Sequence, residues 1–107
     1  MAALFNAGAY DSKHVPDMMK YCRDKLYRLS GNNSFGHWHY TYLYYSQVIY
    51  REGGESWDSF RDKLFARILG EQTQEGSWTG NIGPIYITAI NLTILQLENG
   101  FLPIYQR

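Results

Sequence analysis

The histidines and the single cysteine are the side chains here that most readily ligate metals or act as nucleophiles. His37 and His39 are two residues apart, and His14 lies eight residues before Cys22. Residues two apart on a helix point about 200° from each other, so His37 and His39 do not share one metal ion unless the segment is extended. Eight residues rise about 12 Å along an unbroken helix, which is too far for a Cys–His nucleophile pair. We therefore predict no metal site and no cofactor, and interpret Cys22 as a buried apolar side chain.

Two carboxylates flank a glycine pair in Glu52-Gly53-Gly54-Glu55, a pattern that resembles a pair of acid and base groups. Glycine-flanked acids at a helix end belong more often to solvent-exposed turns. Nothing else in the sequence indicates hydrolysis. We assign no catalytic residue in this chain.

Aromatic side chains are concentrated between positions 38 and 45, and they are the strongest candidates for a binding surface. The members are Trp38, Tyr40, Tyr42, Tyr44 and Tyr45. Aromatic faces attract cations through their quadrupole and present a large apolar area. The alternative, which is the commoner use of such rows, is packing in a helix–helix core. We take Trp38, Tyr42 and Tyr45 as the ligand-binding candidates beside that alternative.

Length and composition exclude several classes of protein. The 107 residues contain ten Lys plus Arg and ten Asp plus Glu, without a basic block that would bind nucleic acid or an anionic membrane surface. The most apolar run, 82–97, includes Asn91 and Gln96, so no transmembrane helix is predicted. No signal peptide is visible at the N-terminus, and the compartment is not indicated. One cysteine cannot form an internal disulfide, so stability must come from packing.

Internal repeats are the clearest signal of architecture. The segment 23–27 recurs as 61–65, an offset of 38 residues. A second pattern has an offset of 47 residues, and it pairs Thr41, Tyr45, Val48 and Tyr50 with Thr88, Leu92, Leu95 and Leu97. Offsets of this size are typical of repeats that contain two helices per unit.

The repeats predict five helices in which two types alternate. The first type, 1–7, 38–52 and 85–98, is apolar nearly all the way round, which indicates helices covered on both sides. Strand is the competing interpretation of these β-branched and aromatic runs. The second type, 16–29 and 57–69, is amphipathic. Its predicted packing stripes are Met18, Cys22, Leu26 and Leu29 in one helix and Trp57, Phe60, Leu64 and Ile68 in the other.

A motif follows the second amphipathic helix, in the segment Gln72-Thr73-Gln74-Glu75-Gly76-Ser77-Trp78. It resembles the Gln-Trp repeat motif of the terpene cyclases, with Gln72 or Gln74, Gly76 and Trp78 as the matching positions. Glycine permits the turn, glutamine can bond free backbone groups at a helix end, and tryptophan fills the gap between hairpins. The preceding repeat has a degenerate copy at 30–35, in which Phe35 takes the place of the tryptophan.

The resemblance covers almost the whole chain and extends to the squalene cyclases and the β-subunits of protein prenyltransferases, which are α/α toroids. It implies an all-α fold of about two and a half helical hairpins, a partial barrel. Residues 1–107 would then be a single segment, which we interpret as the C-terminal part of a larger domain.

The same resemblance defines the expected function. The D-x-D-D acid motif of class II cyclases is absent, and position 20, two before Cys22, is lysine instead of the aspartate of the prenyltransferase D-x-C zinc pattern. We therefore expect a scaffold or interaction role. The alternative is part of an isoprenoid-binding or squalene-cyclase-like enzyme whose catalytic residues lie upstream. The implied partners are an isoprenoid or other apolar ligand, a second copy of the chain, or the remainder of a parent domain.

Overall fold

The computed structural model describes residues 1–27, 29 and 37–101. This part of the chain is helical and contains no strand. Its elements are α1 (Ala2–Asn6), α2 (Val15–Leu26), α3 (Trp38–Glu52), α4 (Gly54–Gly70), α5 (Pro84–Leu95) and a short 3₁₀ helix (Leu97–Asn99). The predicted all-α class is confirmed, and the strand alternative is wrong for α3 and α5.

The helix boundaries agree best with the prediction at α3, which has the predicted limits. Helix α4 begins at Gly54, three residues earlier than predicted, because Gly53 and Gly54 adopt positive φ values of 73° and 59° and turn the chain between the two helices. Helix α2 ends at Leu26 instead of 29, and Leu29 has a positive φ of 52°. Helix α5 ends at Leu95, and the chain continues into the 3₁₀ helix, after which Gly100 adopts the left-handed conformation.

Helix α3 is the centre of the fold. It contacts α1 and α5, the two other helices of its predicted type, and also α2, α4 and the 3₁₀ helix. Most of its second half is buried, including Tyr45, Val48 and Ile49. Helices of this type were predicted to be covered on both sides, which holds for the second half of α3, whereas Tyr40 and Tyr44 in its first half are exposed. The last helix differs, because α5 buries Ile87, Ile90 and Ile94 while part of its apolar surface stays exposed.

The two amphipathic helices meet their predictions to different degrees. All four members of the α4 stripe are buried, as predicted: Trp57, Phe60, Leu64 and Ile68. On α2 the packed residues are Met19, Cys22 and Leu26, whereas Met18 is exposed. The prediction that Met18 belongs to the packing stripe was wrong. Met19 packs instead, and adjacent residues point about 100° apart around a helix, so only one of the two lies on the packed face. Cys22 is only half-buried, although that burial raises the pKa of its thiol.

The structure also bears on the prediction that the chain has no transmembrane helix. Over residues 1–27, 29 and 37–101, none of the helices combines the length and the apolarity that a bilayer crossing requires.

Candidate functional site

The aromatic row on α3 divides into two faces of the helix. Trp38, Tyr42 and Tyr45 are buried, whereas Tyr40 and Tyr44 are exposed. Residues three or four apart lie on the same helix face, so the helical period alone separates the row in this way. The three predicted ligand-binding residues therefore share one face, and the two other tyrosines share another.

The buried face packs against Phe60 of α4. The ring of Tyr45 meets Phe60 edge-on at 5.1 Å between centroids, and the ring of Tyr42 is stacked at 6.4 Å. Trp38 extends the cluster with its ring 4.5 Å from that of Tyr42. Edge-on and tilted ring pairs at these separations are typical of packed cores. Most of the predicted binding surface is thus part of the α3–α4 interface.

A cation covers the outer side of this cluster. The Arg67 guanidinium lies 4.4 Å from the centre of a Trp38 ring and donates a hydrogen bond of 2.8 Å to the Leu29 carbonyl oxygen. It also pairs with Glu71, at 3.4 Å. The His39 ring meets Trp38 edge-on at 4.9 Å, and burial lowers the pKa of His39. Sequence reasoning missed Arg67, because no local pattern connects α4 to a tryptophan 29 positions earlier.

The buried polar atoms of the cluster differ in whether they form a hydrogen bond. The Tyr42 hydroxyl donates a hydrogen bond of 2.9 Å to the Leu26 carbonyl oxygen at the end of α2. The Tyr45 hydroxyl and the Trp38 indole nitrogen are buried and have no hydrogen-bond partner among the residues that the structure describes. Burial also raises the pKa of the Tyr45 hydroxyl above its ordinary value. An unpaired buried hydroxyl lowers the stability of the folded chain.

The two tyrosines allow a matched test of this difference. Tyr42→Phe removes a hydrogen bond and is expected to lower the free energy of unfolding by about 1 kcal/mol. Tyr45→Phe removes an unpaired hydroxyl and is expected to leave stability unchanged or to raise it by about 1 kcal/mol. Urea denaturation followed by circular dichroism measures both. Equal destabilisation by the two variants would show that Tyr45 has a hydrogen-bond partner.

A cleft of about 240 Å³ lies between α1, α2 and α3. Of the three predicted ligand-binding residues only Tyr45 borders this cleft; Trp38 and Tyr42 do not. Tyr40 and Tyr44 border it too, and their rings pack edge-on at 4.9 Å. The rest of the lining is mostly apolar and consists of Met1, Ala2, Cys22, Leu26, Thr41 and Val48. The arrangement can accommodate a small apolar group.

The motif segment 72–78 connects α4 to α5. Trp78 is buried, and its indole N–H donates a hydrogen bond of 2.7 Å to the Ile68 carbonyl oxygen in the last turn of α4. Its backbone N–H donates to the Thr88 hydroxyl on α5 at 3.1 Å. One residue therefore joins the end of one helix to the middle of the next.

Unlike the buried Trp78, the two glutamines of the motif are exposed. Gln72 donates a hydrogen bond of 2.9 Å to the Gly76 carbonyl oxygen, so it bonds within the loop and not at a helix end. Gly76 has φ 82°, a conformation that favours glycine. Gln74 is exposed. The degenerate copy with Phe35 lies outside the described residues.

The other sequence candidates are dispersed. His37 is exposed in front of α3, Glu52 at the end of α3 forms an ion pair with Arg23, and Glu55 lies in the first turn of α4. In the described ranges, no three His, Cys, Asp or Glu side chains converge in a way that could hold a metal ion.

No protein-family model matches the chain, and neither a curated protein nor a solved structure does.

Proposed function

We propose that the chain is a helical-hairpin repeat segment, similar to those of the terpenoid cyclases and prenyltransferase β-subunits, and that it serves as an interaction scaffold. The observation that carries this proposal is a difference between α3 and α5 in how their apolar faces are covered. The aromatic face of α3 is used in packing against α4, while apolar side chains of α5 face solvent. Exposed apolar surface of this kind commonly marks a site of association.

The order of the contacts supports the repeat interpretation. The helices α1, α3 and α5 contact in sequence, and α2 and α4 both pack on α3. Trp78 bridges α4 and α5 in the way that the resemblance implies for the Gln-Trp motif. A partial α/α toroid would have this order of helices. Under this proposal the chain carries no catalytic residue of its own.

A second candidate function is binding of an isoprenoid or another apolar ligand. The observation that favours it is the cleft bordered by Tyr40, Tyr44 and Tyr45. Its volume of about 240 Å³ lies below the roughly 300–1,000 Å³ of most small-molecule pockets. A short isoprenoid chain fits this volume better than a molecule of the size of squalene. The size of this cleft therefore argues against a large isoprenoid at this place.

A ligand titration separates the two functions. Farnesol is titrated into the chain by isothermal titration calorimetry, which detects a ligand in a cleft that no tryptophan borders. The scaffold role predicts no saturable change up to the solubility limit. A saturable heat of binding that is lost in Tyr44→Arg, which blocks the cleft, and kept in Leu92→Arg, which does not touch it, would overturn the scaffold role.

A further inference from the structure

The exposed part of α5 is a compact apolar surface, here named the α5 face. It consists of Ile85, Ala89 and Leu92, and Ser77, Pro84 and Thr88 form its border. Ile85 is 87% exposed and Leu92 is 42% exposed. Large aliphatic side chains at such exposure, one helical turn or two apart, form a contiguous patch.

The internal repeat relates the α5 face to a face of α3 that is buried. Subtracting the offset of 47 residues pairs Ile85 with Trp38, Ala89 with Tyr42 and Leu92 with Tyr45. All three counterparts on α3 are buried against α4 or its neighbours. The α5 face thus occupies the position in its repeat that α4 covers in the preceding one.

The chemistry of the face indicates which kind of partner fits it. Residues 84–95 include no Lys, Arg, Asp or Glu, and the border residue Ser77 is uncharged as well. The face therefore offers no charge that would select an oppositely charged partner, and none that would repel an identical surface.

The spacing on the face is self-complementary. In an antiparallel pair with its two-fold axis between positions 88 and 89, Ile85 of each copy lies opposite Leu92 of the other. Thr88 then lies opposite Ala89, and these smaller side chains at the crossing let the helix axes approach to about 8–10 Å. A large residue thus meets a large one and a small residue meets a small one.

From these observations we propose that the α5 face is the interface of a symmetric homodimer with two antiparallel copies of α5. The inference rests on the proposed scaffold function and names its partner as a second copy of this chain. One helix face buries less than the roughly 800 Å² per partner of a standard stable interface. The dimer should therefore be weak and dissociate on dilution.

Sedimentation velocity over a concentration series tests the dimer. The wild-type chain should approach about 25 kDa, twice the 12.5 kDa of one chain, as concentration rises. Leu92→Arg should remain a monomer with an unchanged circular dichroism spectrum, because it places a charge against the apolar side chain of Ile85 in the other copy. The matched control Leu69→Arg, at a position on α4 that is 53% exposed, should dimerise like the wild type.

Two outcomes overturn the proposal: a wild-type chain that is monomeric at every concentration, or a Leu92→Arg variant that still dimerises. A monomeric wild type would leave the scaffold function intact, since the farnesol titration tests that function separately.

Cysteine cross-linking tests the register in a Cys22→Ser background. Ala89→Cys should form an intermolecular disulfide readily, because the two positions lie beside the axis. Ile85→Cys alone should not, since its copies are about 10 Å apart along the helices, beyond disulfide reach. The double variant Ile85→Cys/Leu92→Cys should cross-link again. Efficient cross-linking of Ile85→Cys alone would refute the antiparallel register.

Discussion

Replacing Trp78 by alanine is expected to lower the free energy of unfolding by about 3–5 kcal/mol. The side chain is buried, and its indole N–H holds the Ile68 carbonyl oxygen at 2.7 Å. The variant loses that hydrogen bond and leaves a cavity between the end of α4 and the middle of α5. A single domain of this size commonly has about 5–15 kcal/mol of stability in total, so the loss would be a large fraction of it. Urea denaturation followed by circular dichroism gives the value.

Two further variants control this measurement. Trp78→Phe keeps most of the apolar volume and removes the indole N–H, so it should cost less than the alanine variant. Gln74→Ala changes an exposed residue of the same motif and should stay within about 0.5 kcal/mol of the wild type. If Trp78→Ala unfolds at the wild-type urea concentration, the motif does not join α4 to α5 as described.

The features that sequence could predict are those with a strong local period. The limits of α3 and the buried stripe of α4 are predicted correctly because each has one dominant pattern. For α2 the sequence does not determine the packing stripe, since Met18 and Met19 are adjacent and both apolar. Which of them packs depends on how α2 is rotated against α3, and that is a property of the tertiary fold.

The candidate site could be predicted only in part, for two physical reasons. The aromatic row was visible, but which of its faces α4 covers depends on long-range packing. The position of Arg67 over Trp38 depends on the same packing, across 29 positions of sequence. Helix α5 is apolar nearly all the way round, so its sequence does not distinguish the face buried on α3 from the face with Ile85 and Leu92.

Replacing Phe60 by alanine is the second change with a large expected effect, again about 3–5 kcal/mol of unfolding free energy. Phe60 is fully buried, and three tyrosine rings pack on it, those of Tyr27 at 5.6 Å, Tyr42 at 6.4 Å and Tyr45 at 5.1 Å between centroids. Removing the ring takes away a common neighbour of all three and leaves a cavity between α3 and α4. Thermal and urea unfolding should both record the loss.

The control for Phe60→Ala is the same substitution at Phe101. This side chain is 70% exposed, so the change should alter stability by no more than about 0.5 kcal/mol.

The comparison of the two phenylalanine variants also decides the role of the aromatic row. A large loss at Phe60 alone means that Tyr42 and Tyr45, which pack on its ring, act as core residues, together with Trp38, which packs on Tyr42. If both phenylalanine variants unfold like the wild type, the row does not form the α3–α4 core, and its faces become open to a ligand. A binding role for these three side chains would then displace the scaffold interpretation, because core packing and ligand contact require the same aromatic surface.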